Sequence, residues 1–175
     1  MKTVLIAATA LTALLGSTAA AAQDVSGTVT INGTVAAKCV IDPAATITLG
    51  EMADLNGVYN NVANGKTATL TAWCNGSRST MTVASTAIKL VNGVAPPTGF
   101  VDTVNFTGTA SVASASGGGT VSASDSTTAV PSAAATVGLF SNTITVVLSA
   151  SSTAAGKLIA GDYQGSVVVT LAPAA

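Results

Sequence analysis

The sequence predicts an all-β protein, an antiparallel β-sandwich of immunoglobulin type. Along most of the chain apolar residues alternate with Thr and Ser, which is the period of a half-buried strand. The core must come from small, often β-branched side chains, because 49% of the 175 residues are hydrophobic and only 3% are aromatic. Seven or eight such segments are separated by turn signals, and two of them carry a cysteine.

The composition argues against several kinds of function. Histidine is absent, which removes Ser-His-Asp and Cys-His catalysis and every histidine-based metal site. The six basic residues are spread along the chain and form no patch for phosphates, so no nucleic-acid partner is expected. The seven acidic residues fall in no acid–base motif. We therefore predict a protein that is not an enzyme and uses no metal and no cofactor.

Residues 1–22 are predicted to be a secretory signal peptide. A positive start at Lys2 precedes an apolar core over residues 4–15, and small residues then lead to a cleavage site between Ala22 and Gln23. The apolar core is shorter than the roughly 20 residues that a membrane-spanning helix needs. No later segment is long and apolar enough to span, so the mature chain is expected to be exported without a membrane span.

The two cysteines, Cys39 and Cys74, both follow the predicted cleavage site. An even number of cysteines in an exported chain favours one structural disulfide. A redox pair would usually have the C-x-x-C spacing, and a metal site would need further ligands that the sequence does not offer. We therefore expect a structural bridge between two positions that are 35 residues apart.

The alternation assigns most of the mature chain to strands. The first run covers residues 27–35, and its parity continues through Cys39 to Ile41. Trp73 is expected on the outer face, because it precedes the inward-facing Cys74. Residues 107–136 are nearly all Ser, Ala, Thr, Gly and Val, and are interpreted as a variable surface hairpin. The other predicted strands cover residues 68–74, 81–83, 88–90, 144–148 and 163–171.

The order of these features resembles the subunits of chaperone–usher pili. Such subunits carry a V-x-I/F-x-G-x-V run before their first cysteine, which is similar to residues 27–35 here. Their second cysteine ends a core strand, as Cys74 does in L-T-A-W-C-N. Their last strand opens with glycine and an aromatic residue, like the run from Gly161 and Tyr163 to Leu171.

The resemblance implies a division of the chain into three parts. Residues 1–22 would be the signal peptide, residues 23–35 an N-terminal donor-strand extension, and residues 36–175 a sandwich domain that lacks its last strand. The donor residues would be Val29, Ile31, Gly33 and Val35. The strand beside the resulting groove would contribute Gly161, Tyr163, Val167, Val169 and Leu171.

The resemblance also implies partners and a location. The partners would be identical or related pilus subunits, a periplasmic chaperone and an outer-membrane usher, and the subunit would pass through the periplasm to the cell surface. Donor-strand addition has a physical basis, since an unpaired sheet edge binds an extended segment through main-chain hydrogen bonds and side-chain pockets. The expected function is therefore that of a structural subunit of a surface fibre.

Three alternatives stay open at the level of sequence. The ending G-D-Y-x-x-x-V-x-V also resembles secreted proteins of the spore-coat U kind, which would make the chain a coat or biofilm-matrix protein. A monomeric sandwich could instead bind a ligand through residues 50–65 or 107–136. Residues 27–35 could also be the ordinary first strand of a complete domain.

Overall fold

The computed structural model describes four ranges of the chain: residues 25–42, 44–115, 117–130 and 133–175. The predicted signal peptide, with its cleavage site between Ala22 and Gln23, lies outside the described residues. The described residues fall into two units, residues 25–34 and residues 35–175. The second unit contains all the strands that follow.

The described part of the chain contains ten β-strands and no helix, which confirms the predicted all-β class. The strands are β1 Cys39–Ile41, β2 Thr67–Cys74, β3 Thr80–Leu90, β4 Phe100–Val101, β5 Thr103–Ala113, β6 Thr120–Ser126, β7 Ala135–Thr136, β8 Phe140–Ser152, β9 Lys157–Leu158 and β10 Tyr163–Ala172.

Eight of these strands form one antiparallel sheet that nearly closes on itself in a sandwich-like arrangement. Its order is β1-β2-β8-β5-β3-β10, with β6 on β5 and β7 on β3, while β4 and β9 form a separate parallel pair. The strand β5 connects a layer that contains β3 and β10 with a layer that contains β1, β2, β8 and β6. Its first residues pair with β3, and the rest pair with β8 and β6. A register shift between Asn105 and Thr107 marks this change of partner.

The core is filled by the inward-facing residues of the alternating strands. Met81, Ile144 and Phe140 are nearly inaccessible, and small residues such as Ala110 and Ala123 are buried beside them. Tight packing of small side chains replaces the aromatic bulk that the sequence lacks. This core supports the groove described in the next subsection.

Two predictions about strands are wrong in the same way. Residues 81–83 and 88–90 are not two short strands but parts of the single strand β3. Residues 107–136 do contain a hairpin, formed by β5 and β6, but it does not lie on the surface, because it buries Val112 and Ala123 in the core. The sequence did not reveal that these strands are buried, because Ala, Ser and Gly contribute little to a hydrophobic pattern. They can still be buried where neighbouring strands cover them.

A buried carboxylate joins the two layers where β6 and β3 face each other. The side chain of Asp125 is 6% exposed, and its Oδ2 accepts a hydrogen bond from Ser85 N at 2.5 Å. Ser85 Oγ in turn donates to the carbonyl oxygen of Asp125 at 3.2 Å. Since β3 and β6 form no backbone ladder in the described chain, these bonds link the two strands in addition to the packing of Val83 and Ala123 in one core.

The predicted disulfide is confirmed: Cys39 and Cys74 are bonded, and they lie opposite each other in the β1–β2 pair. Cys74 is 3% exposed and belongs to the core, while Trp73 faces outward as expected. The bridge fastens the short strand β1, which has only three residues, to the rest of the sheet.

We expect the Cys39→Ser variant, or full reduction, to lower the free energy of unfolding by about 3–4 kcal/mol. The reason is that the bridge removes the loop entropy of the unfolded chain across a separation of 35 residues. Urea unfolding with and without reductant measures the loss. Two free thiols in the denatured, unreduced mature chain would contradict the prediction.

The predicted first strand over residues 27–35 does not form. Residues 25–38 have no regular secondary structure, and the side chains of Val29 and Ile31 are 85% and 91% exposed. The sheet begins only at Cys39. An alternating segment becomes a strand only beside a partner edge, and this one has none among the described residues.

Candidate functional site: a groove beside the last strand

An open groove of about 1320 Å³ runs beside β10. One wall is β10 itself, which presents the half-buried side chains of Tyr163, Val167 and Val169. The opposite wall is the segment 44–53 that follows β1. In this segment Ile47 and Leu49 turn inward while the residues between them are exposed.

The floor of the groove is apolar. It consists of Ala68, Leu70, Ile88, Phe106, Val146 and Leu148. The carboxylates in the lining are Asp42, Glu51 and Asp162. In sequence Asp42 and Asp162 lie just outside the two walls, and Glu51 lies near the end of the wall 44–53. The middle of the groove therefore suits uncharged, apolar side chains.

Both walls of the groove have an unpaired backbone edge. On one side β10 pairs with β3, and no described strand pairs with its other edge. Residues 46–50 alternate between exposed and half-buried side chains, as the residues of a strand do. Residues 44–50 nevertheless belong to no strand and make no hydrogen bond within the described chain. Backbone N–H and C=O groups need partners, so these two edges have hydrogen-bonding groups that the described chain itself does not satisfy.

The residues predicted for the groove strand have different positions. The groove is lined by Gly161, Tyr163, Val167 and Val169. Leu171 is not part of the lining and packs instead against the core around Met81 and Ile144. Gly161 has a φ of 150°, a backbone conformation that favours glycine, and a Cβ there would lie 2.6 Å from Leu90 Cδ1. Between Tyr163 and Val167 a register shift separates Gln164 from Ser166.

The residues predicted for the donor strand lie in the described segment 25–38. Val29, Ile31 and Val35 are all at least 85% exposed, and no atom lies within 4 Å of the Cβ position at Gly33. The segment therefore exposes three β-branched apolar side chains, with no charged residue between them.

The phenol of Tyr163 closes the end of the wall at β10. Its Oη donates a hydrogen bond to the carbonyl oxygen of Ile159 at 2.8 Å. Burial, with the negative charge of Asp102 nearby, raises the pKa of Tyr163 above its ordinary value of 10.0. The folded state therefore holds the phenolic proton more tightly than the unfolded state does.

The raised pKa predicts a stability loss at alkaline pH. The contribution of Tyr163 is fully present below pH 10.0 and is lost as the pH rises through the higher pKa of the folded state. The Tyr163→Phe variant should lose about 1 kcal/mol at neutral pH, with its hydrogen bond, and should fall less steeply above pH 10. Urea unfolding of both proteins at neutral and strongly alkaline pH measures the difference, and parallel profiles would contradict the assignment.

Residues 54–57 form a turn that Asp54 stabilises. Asp54 Oδ1 accepts hydrogen bonds from Asn56 N at 2.8 Å and from Val58 N at 2.9 Å. These backbone bonds, that from Val58 above all, lower the pKa of Asp54 below its ordinary value. Within the described ranges no three His, Cys, Asp or Glu side chains lie close enough together to hold a metal ion.

Sequence reasoning missed the second wall of the groove. The alternation of Ile47 and Leu49 was visible, but nothing in the sequence showed that this segment would face β10 without pairing to it. The role of Asp125 was missed as well, because a single carboxylate in a polar run is typical of a solvated surface.

Fold and site together define the class of protein: an all-β, sandwich-like chain with one strand-shaped apolar groove along its last strand. In the described chain no helix has the length and apolar character needed to cross a membrane. No family model, no curated protein and no solved structure matches this sequence.

Proposed function

We propose that this protein is a non-enzymatic structural subunit of a surface fibre, assembled by donor-strand exchange. Residues 27–35 of one subunit would enter the groove of the next and complete its sheet. A periplasmic chaperone would cover the groove before assembly, and an outer-membrane usher would guide export. The observation that carries the proposal is the groove whose two walls, residues 44–50 and β10, both have unpaired edges.

The dimensions of donor and groove support the proposal. A strand rises by about 3.3 Å per residue, so a donor of nine residues would extend over roughly 30 Å. The strand β10 has ten residues and matches that length. Residues 25–35 carry no charge, which suits the apolar floor.

The energetics also favour strand binding. Val29, Ile31 and Val35 would each gain about 1.5–3 kcal/mol on burial, which gives about 5–9 kcal/mol before ordering costs. Main-chain hydrogen bonds to both walls add to this, because an added strand would satisfy the unpaired groups of 44–50 and β10. Unpaired edges of this kind favour aggregation. A chaperone that covers the groove before assembly would prevent it.

A peptide-binding experiment tests the proposal. A synthetic peptide of residues 25–36 is added to the chain that lacks residues 23–35, and thermal unfolding is followed. The peptide should raise the unfolding midpoint in a concentration-dependent way, because it binds only the folded domain. A peptide with Ile31→Asp serves as the matched control and should have little effect. Equal shifts for both peptides, or none for either, would contradict strand binding in the groove.

Two of the functional interpretations give different outcomes in solution. A fibre subunit should form ladders of oligomers that depend on residues 23–35. A ligand-binding sandwich should remain a stable monomer with its groove unoccupied. Size-exclusion of the mature protein, with and without the chaperone, therefore separates a fibre subunit from a monomeric binding module.

A further inference from the structure

The chain contains five Asn-Gly dipeptides, beginning at Asn32, Asn56, Asn64, Asn75 and Asn92. In such a pair the backbone nitrogen of glycine can attack the side-chain carbonyl carbon of asparagine. A C–N bond forms, ammonia leaves, and a five-membered imide results. Water then opens the imide at either carbonyl, which gives aspartate or isoaspartate. The glycine has no side chain to obstruct the attack, so the local environment decides which pair reacts.

Two of these pairs are held in place by hydrogen bonds. Asn75 Oδ1 accepts from Lys38 N at 2.6 Å, and Asn75 Nδ2 donates to the carbonyl oxygen of Ala36 at 3.1 Å. Asn64 Oδ1 accepts from Ser151 N at 2.7 Å, and the attacking nitrogen, Gly65 N, donates to Leu148 O at 2.9 Å. Attack on either asparagine requires these bonds to break first.

The pair Asn32–Gly33 has none of this protection. Both residues are exposed, and neither the Asn32 amide nor Gly33 N makes a hydrogen bond in the described chain. No atom lies within 4 Å of the Cβ position of Gly33. The nucleophile and the reacting carbonyl are thus free to meet.

We propose that Asn32–Gly33 is a site of spontaneous deamidation that is open in the unassembled subunit and closed once the strand is bound. The site itself follows from the structure of the free chain, whereas its effect on assembly rests on the proposed function. Incorporation into a groove would hold the backbone extended and keep Gly33 N away from the Asn32 side chain. Subunits that stay unassembled for a long time would accumulate deamidated donor segments that no longer bind a groove.

The loss of function follows from the backbone chemistry. Isoaspartate inserts one more carbon into the main chain between Ile31 and Val35. The alternation then breaks, so Val35 no longer faces the same side as Val29 and Ile31. Aspartate keeps the alternation and places its carboxylate on the face opposite these anchors. Isoaspartate is therefore the product that disables assembly.

The first part of the test compares reaction rates within one molecule. The mature chain with its disulfide intact is incubated in mildly alkaline buffer, then reduced and digested with trypsin. The peptide that ends at Lys38 contains Asn32 as its one asparagine, and the peptide 67–78 contains Asn75 as its one asparagine. Mass spectrometry should show Asn32 converting at least about tenfold faster, because Asn75 must first break two hydrogen bonds. Equal rates at Asn32 and Asn75 would overturn the site.

The second part of the test compares fresh and aged protein with the Asn32→Gln variant, which keeps the amide but forms the larger imide ring slowly. Fresh wild type and fresh variant should polymerise equally. After ageing, the wild type should lose polymerisation in proportion to its isoaspartate content, and the variant should not. Full polymerisation of wild type rich in isoaspartate would overturn the effect on assembly. If fresh protein fails to polymerise, the proposed function falls and the effect on assembly falls with it, while the rate comparison still decides the site.

Discussion

Deleting residues 23–35 is expected to abolish fibre assembly while the remaining domain still folds. None of the described residues 25–35 is buried, so among the residues that the structure describes the deletion removes no core side chain. It also leaves Cys39 and the β1–β2 pair intact. The truncated subunit should still accept a neighbour's strand in its groove, but it should be unable to add itself to the next subunit. Electron microscopy for fibres and circular dichroism for the fold measure the two effects.

A pair of point variants tests the same segment without shortening it. Ile31→Asp places a charge on the face that would enter the groove and should block assembly. Thr30→Asp places the same charge on the opposite face and should assemble nearly as wild type does. In both variants the monomer should keep its stability, because the side chains are exposed in the free chain. Unfolding of the domain in response to the deletion, or equal assembly of the two variants, would contradict the donor assignment.

Gly33→Leu probes the fit of the bound strand. In the free chain no atom lies within 4 Å of the Cβ position, so the larger side chain meets no obstacle there. In a shallow part of the groove it would cost about 1–3 kcal/mol and slow strand exchange. Loss of monomer stability in this variant would count against a donor strand.

Val169→Asp is expected to have the second large effect. Val169 lines the groove and packs against the core around Met81 and Ile144. A carboxylate there would lie against apolar neighbours without a partner, and we expect a loss of about 3 kcal/mol or more in the free energy of unfolding. The variant should accumulate poorly in the periplasm, and any folded fraction should bind no strand. Immunoblotting of periplasmic extracts and urea unfolding measure both.

Val168→Asp is the matched control on the same strand. Val168 also borders the groove, but its side chain is 54% exposed, whereas those of Val167 and Val169 on either side of it are half-buried. The same charge placed one residue away should change stability by no more than about 0.5 kcal/mol. Normal accumulation and assembly of Val169→Asp would show that the groove does not receive an apolar strand.

Much of the fold was predictable because strand alternation is a local property. The parity of residues 68–74 placed Cys74 inward and Trp73 outward, as observed. The parity of the last strand placed Val167 and Val169 on one face, which is the groove face. Successive side chains of a strand point to opposite faces, so in a strand with one buried face every second residue points inward.

The sequence alone determined the all-β class, the disulfide and the facing of the main strands, since these depend on residue order and on neighbours two positions apart. Only the tertiary structure decided that β3 is one strand and that β5 and β6 belong to the core, because burial of Ala110 and Ala123 depends on distant strands that cover them. It also decided which edges stay open. An edge is unpaired only in relation to all other strands, so no local pattern can distinguish residues 44–50, which lack a partner, from a segment that has one.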